Sequence, residues 1–153
     1  MFLYMKDVVV IKTKCAKWFI VLIVLVLLFT SCASSNKKYV DIYNVVKEAY
    51  LTDKGYSAEL SKHMSEEVFK SINIYNDYGF NDPEYKKPFK VDFSLKENSQ
   101  SKKNNIVYVK MTYSLEIRDS LNELAGGAGD IPITFTVKKT GNEWYIIDKY
   151  ERP

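Results

Sequence analysis

The chain of 153 residues has a mass of 17.8 kDa, and its 46% hydrophobic and 27% charged residues are the composition of one ordinary globular domain. The formal net charge of +3 arises within residues 1–32, which hold four lysines and one aspartate, so a basic nucleic-acid-binding domain is excluded and no nucleic-acid partner is expected. Two cysteines and one histidine likewise exclude a disulfide scaffold and most histidine-based metal sites, and we expect no metal or other cofactor.

Residues 1–31 have the pattern of a secretory signal peptide. Four lysines precede an apolar run over residues 18–29, and these 12 residues are fewer than the roughly 20 that a membrane-spanning helix needs. A run of this length is typical of the hydrophobic region of a signal peptide. Either Met1 or Met5 can be the true start, since a start at Met5 shortens the basic segment to a more ordinary length.

A lone cysteine follows two small residues at the end of the apolar run, where Thr30 and Ser31 precede Cys32. This arrangement resembles the lipobox of bacterial lipoproteins, although Phe29 stands where that family prefers Leu. The resemblance implies that Cys32 is lipidated and becomes the mature N-terminus, with residues 32–38 as its polar tether. Acyl chains such as palmitate then hold the protein on the extracytoplasmic face of a bacterial membrane. The alternative is an uncleaved membrane anchor in which Cys32 is unmodified.

Residues 39–153 are predicted to form a single domain that begins with helices. Residues 39–52 carry apolar side chains at helical spacing, and Gly55 is suited to end this helix. A second short helix is predicted near residues 58–63. Ser65 is a suitable N-cap for a third helix, because two glutamates follow it in the first turn.

After a loop over residues 76–88, the apolar residues no longer recur at helical spacing but at every second position, which predicts β-strands. Four antiparallel strands are predicted, separated by a polar turn, a flexible Gly-rich loop and a hairpin turn. The strands are residues 89–96, 107–117, 131–137 and 143–150, and the connections are residues 97–105, 119–130 and 139–142. Helices followed by an antiparallel meander define an α+β fold.

One acidic residue, Asp148, continues the strand face that holds Trp144 and Ile146. We expect Asp148 to be a solvated strand-end residue. The alternatives are an ion pair with a lysine and an inward orientation, in which apolar surroundings would raise its pKa and suit it to act as a general base. The other acidic residues of the predicted strands have the opposite phase, and we expect them to be solvated.

The order of helices and strands ends in a hairpin over residues 137–148 that contains Gly141, Trp144 and Ile146. This arrangement resembles the nuclear transport factor two-like (cystatin-like) fold over residues 39–150. The resemblance implies N-terminal helices packed on a curved, four-stranded antiparallel sheet, leaving a cone whose mouth can hold a ligand. The superfamily includes isomerases, dehydratases and non-catalytic binding modules, so the fold alone does not give the function.

Aromatic residues crowd the segment between the predicted helices and strands, at Tyr75, Tyr78, Phe80 and Tyr85. One interpretation is that these rings fill the gap between the two layers of the fold. The other is that they form an amphipathic mouth for a ligand or a partner, because tyrosine offers apolar area together with a hydroxyl.

The sequence contains no recognisable catalytic motif, and no residue is assigned a catalytic role. His63 is expected to be a surface or cap residue, and no serine lies in a nucleophile motif. We therefore expect a membrane-anchored, extracytoplasmic lipoprotein that serves as a non-catalytic binding or adaptor module of the cell envelope. Its partner would be an envelope protein or a small hydrophobic ligand. The alternative is a small isomerase-like or dehydratase-like enzyme that uses the cone pocket.

Overall fold

The computed structural model describes residues 37–78, 80 and 83–151. The predicted signal peptide, Cys32 and most of the tether lie outside the described residues. The described part forms three α-helices, one 3₁₀-helix and one four-stranded antiparallel sheet, which confirms the predicted α+β class. No helix in this part is long and apolar enough to cross a membrane.

The elements follow one another in the predicted order. The helices are α1 (Tyr43–Leu51), α2 (Glu66–Ile72) and α3 (Ile74–Asp77), with a 3₁₀-helix (Leu60–Lys62) between α1 and α2. The strands are β1 (Lys90–Lys103), β2 (Ile106–Arg118), β3 (Leu124–Thr140) and β4 (Glu143–Glu151). The sheet order is β1-β2-β3-β4, and each neighbouring pair is antiparallel.

Side-chain caps begin α2 and α3 and connect them to α1. The Ser65 hydroxyl accepts a hydrogen bond from the Val68 N–H at 3.3 Å, so the predicted N-cap of α2 is confirmed. The Asn73 amide oxygen caps α3 in the same way, on the Tyr75 N–H at 3.2 Å. Its amide nitrogen donates to the Ala49 carbonyl at 2.8 Å, at the end of α1. One buried asparagine therefore holds three helices in a fixed arrangement.

Backbone and ring contacts connect the helical segment to the sheet. Ile146 of β4 donates its N–H to the His63 carbonyl at 2.7 Å and accepts the Ser65 N–H at 3.1 Å. The Tyr50 ring of α1 lies 4.9 Å from the Phe93 ring of β1. The core is apolar, as a half-buried sheet packed on helices requires. Its fully buried large side chains include Ile42, Leu60, Met64, Ile74, Met111, Ile117, Ile133, Phe135 and Ile146.

The predicted polar turn over residues 97–105 is wrong, because β1 continues to Lys103. The pairing of β1 with β2 shifts register between Glu97 and Ser99, and this bulge breaks the alternation on which the sequence prediction relied. The following polar residues are stabilised by a long-range contact, since the Gln100 side chain accepts the Val40 N–H at 3.1 Å and donates to the Val40 carbonyl at 2.7 Å.

The predicted flexible loop over residues 119–130 is also wrong for most of its length. β3 begins at Leu124, and its Gly-rich first residues pair with the end of β2. The actual turn is short because the buried Asp119 carboxylate accepts the N–H groups of Leu121 and Glu123, each at 2.9 Å. Burial alone would raise the pKa of Asp119, but the backbone N–H donors hold its pKa below the usual value.

Candidate functional site

A pocket of about 370 Å³ opens between the helices and the strands β2 and β4. This volume lies at the lower end of the range for small-molecule sites. Its apolar walls are Ile72, Ile74 and Leu115, and its polar lining comprises Tyr50, Ser71, Asp77, Tyr78, Tyr113, Lys149 and Glu151. Three phenols, two carboxylates and one ammonium group therefore surround one small space.

A β-bulge determines which residues of β4 line this pocket. Val137 pairs with Ile146, but the next pair is Thr136 with Asp148, so Ile147 is an extra residue in β4. The extra residue reverses the alternation from this point to the end of the strand. Lys149 and Glu151 line the pocket as a result, whereas the same two positions would face outward in a regular strand.

The inward orientation considered for Asp148 is wrong for the same reason. Asp148 is exposed, and its carboxylate accepts the backbone N–H of Lys149 at 2.8 Å. The apolar surroundings that a general base requires are absent around this side chain. Asp148 remains a candidate only for contact with a partner on the protein surface.

Glu151 anchors a small polar network at one side of the pocket. Its Oε1 accepts the Tyr113 hydroxyl at 2.8 Å, and its Oε2 accepts the Lys149 ammonium at 3.2 Å. Burial, followed by the hydrogen bond and charge of Glu151, raises the pKa of Tyr113 above its usual value. Tyr113 therefore keeps its proton at neutral pH and acts as a hydrogen-bond donor to Glu151.

Tyr50 differs from Tyr113 in its hydrogen bonding, because the Tyr50 hydroxyl is buried and has no hydrogen-bond partner among the described residues. The residue is only 3% exposed, and its ring lies 5.1 Å from the Tyr113 ring. Burial is the main cause that raises the pKa of Tyr50, so this phenol is also neutral at ordinary pH. A buried hydroxyl without a partner costs roughly 1–3 kcal/mol of stability, which the fold tolerates at the pocket wall.

Asp77 lies at the rim of the pocket, at the end of α3. Among the described residues, its carboxylate forms no ion pair and no hydrogen bond. Burial raises the pKa of Asp77, the charge of Glu151 raises it further, and the charge of Lys149 lowers it. The pocket thus has two carboxylates and one lysine. Lys149 bonds to Glu151, and its charge also acts on Asp77, which is exposed to solvent.

Tyr78 reaches the pocket from the segment after α3 and packs against a glycine of β3. A Cβ atom on Gly126 would lie 2.5 Å from the Tyr78 Cδ1 atom, which is far inside van der Waals contact. The ring therefore occupies the space that a side chain at residue 126 would take. Burial, and next the charge of Asp77, raises the pKa of Tyr78.

The other three aromatic candidates lie outside the pocket lining. The Phe80 ring is 4.4 Å from the Tyr75 ring and 4.8 Å from the Phe89 ring, and the Tyr85 ring is 6.4 Å from the Phe89 ring. Phe80 itself is only 8% exposed. These contacts favour the interpretation that most of the aromatic segment fills the gap between helices and sheet, and Tyr78 alone joins the pocket.

His63 ends the 3₁₀-helix, as a cap residue does, and its ring stacks on Trp144 at 4.7 Å. The described residues contain no group of three or more His, Cys, Asp or Glu side chains that could hold a metal ion. The chemistry on offer in the pocket is therefore hydrogen bonding and charge. In comparisons with known proteins, no family model matches the chain and no curated protein matches it.

Sequence reasoning missed six polar residues of the pocket, one of which is Ser71 of α2. Tyr50 and Tyr113 resemble ordinary core residues in the pattern, and they are indeed largely buried. Asp77 lies in a segment predicted as loop. Lys149 and Glu151 occupy positions that strict alternation places outside the fold. Only Tyr78 was identified from the sequence.

Proposed function

We propose that this chain is a lipid-anchored, extracytoplasmic protein whose α+β domain is a non-catalytic binding module of the bacterial cell envelope. The proposal includes the cone-like, nuclear transport factor two-like form of the fold, which the order of the elements favours. One observation carries the binding role. A pocket of about 370 Å³ combines aliphatic and tyrosine walls with three charged side chains, and small-molecule sites join apolar walls to a few polar groups in this way.

The non-catalytic role is supported by the contacts of the carboxylates. Both oxygens of Glu151 already accept hydrogen bonds, one from Tyr113 and one from Lys149. Asp148 faces solvent. An isomerase-like or dehydratase-like enzyme is the second candidate, and it would have to use Asp77, whose pKa is raised by burial.

The binding role is tested by native mass spectrometry of the mature protein, isolated gently from its source membrane in mild detergent. We expect a reproducible extra mass on the monomer, and its value identifies the ligand. A bare monomer would contradict a small-molecule role and favour a protein partner. A discrete oligomer would favour a structural tether in an envelope complex.

The lipid anchor is tested by replacing Cys32 with Ser. We expect complete loss of labelling by radioactive palmitate and accumulation of the uncleaved precursor, because a serine hydroxyl lacks the thiol that accepts the lipid. The measurement is autoradiography and intact mass of the full chain expressed in a bacterial host. The matched control is Cys15→Ser, since Cys15 lies within the predicted signal peptide. Undiminished labelling of the Cys32 variant would contradict the anchor.

A further inference from the structure

We propose that the end of the sheet at which the chain enters the domain is a membrane-docking surface. Its lysines contact the anionic phospholipid headgroups of the membrane that carries the lipid anchor. This inference rests on the proposed lipid anchor and names the partner of one surface of the domain. It depends on where the chain enters the fold, on the distribution of charge and on the reach of the tether.

The first described residues are fixed to this end of the sheet. The side chain of Gln100 accepts the Tyr39 N–H at 2.7 Å and donates to the Val40 carbonyl at 2.7 Å. The ammonium of Lys139, near the end of β3, donates to the Tyr39 carbonyl at 2.7 Å. Because β1 and β3 both end here, the segment that leads back to Cys32 leaves the domain beside the β1–β2 and β3–β4 turns.

Exposed lysines crowd the same end of the sheet. Lys102 and Lys103 end β1, and Lys138 pairs with the first residue of β2, so the two hairpins bring these three residues to neighbouring positions. All three are exposed, and none of them forms an ion pair with another described residue. Lys37 and Lys38 add two more exposed ammonium groups where the chain enters the domain.

The acidic residues near these lysines are fewer, and two of the three are already engaged. Asp41 forms an ion pair with Lys38 at 3.0 Å, and Glu97 accepts the Gln100 amide at 2.9 Å, whereas Glu143 is exposed in the β3–β4 hairpin. The chain outside the signal peptide is neutral, so the rest of the domain carries the matching excess of negative charge. This separation of charge orients the lysines toward an anionic surface.

The predicted tether keeps this end of the sheet close to the membrane. Residues 32–38 separate the lipidated Cys32 from Tyr39, and an extended chain spans at most ~3.6 Å per residue, which gives a reach of about 25 Å. A surface held this close to headgroups meets them at high effective concentration. Lysines on long, flexible stems suit a fluid layer of many headgroups better than the fixed geometry of a protein partner.

Trp144 provides a probe of this surface, because it lies in the β3–β4 hairpin opposite Lys139 and is the only tryptophan left once the signal peptide is removed. The mature lipoprotein is reconstituted into phosphatidylcholine vesicles that contain lipid with a nitroxide on its headgroup, with or without one-third phosphatidylglycerol. We expect phosphatidylglycerol to increase the quenching of Trp144 fluorescence at least about twofold. The increase should disappear in about 1 M sodium chloride, where the screening length is about 3 Å.

Charge-matched variants locate the docking surface. The triple variant Lys102→Gln, Lys103→Gln and Lys138→Gln removes the three unpaired lysines, and it should abolish the increase in quenching. The matched control is the triple variant Lys86→Gln, Lys87→Gln and Lys90→Gln. Its three lysines are exposed at or just before the start of β1, at the opposite end of the sheet. The control lowers the net charge by the same amount and should keep the increase.

The outcomes separate this inference from the proposed anchor. If the protein floats with the vesicles and the quenching is equal with and without phosphatidylglycerol, the docking surface is overturned and the anchor stands. Equal loss in both triple variants would mean that net charge attracts the membrane, which also overturns the assignment. Inorganic phosphate at constant ionic strength should not reduce the quenching, and competition would indicate a site for single anions instead. A mature protein that does not float with the vesicles would contradict the anchor, and the docking surface with it.

Discussion

Tyr50→Phe is expected to stabilise the ligand-free protein by about 1 kcal/mol, although it removes a polar group from a native structure. The Tyr50 hydroxyl is desolvated in the folded state and has no partner among the described residues. In the unfolded state the same hydroxyl is bonded to water. The phenylalanine ring retains the contacts with Phe93 and Tyr113, at 4.9 and 5.1 Å between ring centroids. The substitution therefore removes the free-energy cost of burying the unpaired hydroxyl and keeps the ring contacts.

Tyr113→Phe provides the matched comparison, because Tyr113 lines the same pocket and differs mainly in having a partner. Its hydroxyl donates to Glu151 Oε1 at 2.8 Å, so its removal should destabilise the protein by about 1–2 kcal/mol. The measurement is the free energy of unfolding from urea denaturation, followed by circular dichroism at pH 7 in a fixed detergent. Destabilisation of equal size by both variants would mean that the Tyr50 hydroxyl has a hydrogen-bond partner after all, which would contradict this prediction.

The fold class could be predicted from the sequence because the two periodicities are long and clear. The apolar residues of β2 occupy every second position from Val107 to Ile117, and all of them are buried. Ser65 begins α2 as expected, because an N-cap is a local interaction that depends on a few neighbouring residues. Local patterns of this kind are readable without knowledge of the partner strands.

The pocket could not be predicted, because it depends on interactions between residues far apart in the chain. The bulge at Ile147 is a feature of the pairing of β4 with β3, and it decides that Glu151 faces inward and Asp148 outward. The polar extension of β1 depends on Gln100, which bonds to the backbone of Val40, 60 residues earlier. A sequence pattern contains neither the register of a strand nor the partner of a side chain.

Gly126→Ala is expected to destabilise the protein by about 1–3 kcal/mol and to weaken binding in the pocket. The new Cβ would lie 2.5 Å from Cδ1 and 3.1 Å from Cε1 of the Tyr78 ring. The ring cannot keep its position, and because Tyr78 lines the pocket, its displacement changes the pocket itself. We expect a lower free energy of unfolding in urea, together with a smaller share of the protein that carries a ligand mass in native mass spectrometry.

Gly129→Ala is the matched control, since it makes the same substitution in the same strand where no atom lies within 4 Å of the new Cβ. Its effect on stability should stay within about 0.5 kcal/mol. The double variant Gly126→Ala with Tyr78→Ala separates the clash from a backbone effect, because the alanine at residue 126 should cost much less once the ring is gone. If the cost of Gly126→Ala were the same with and without the Tyr78 ring, that ring would not pack on Gly126.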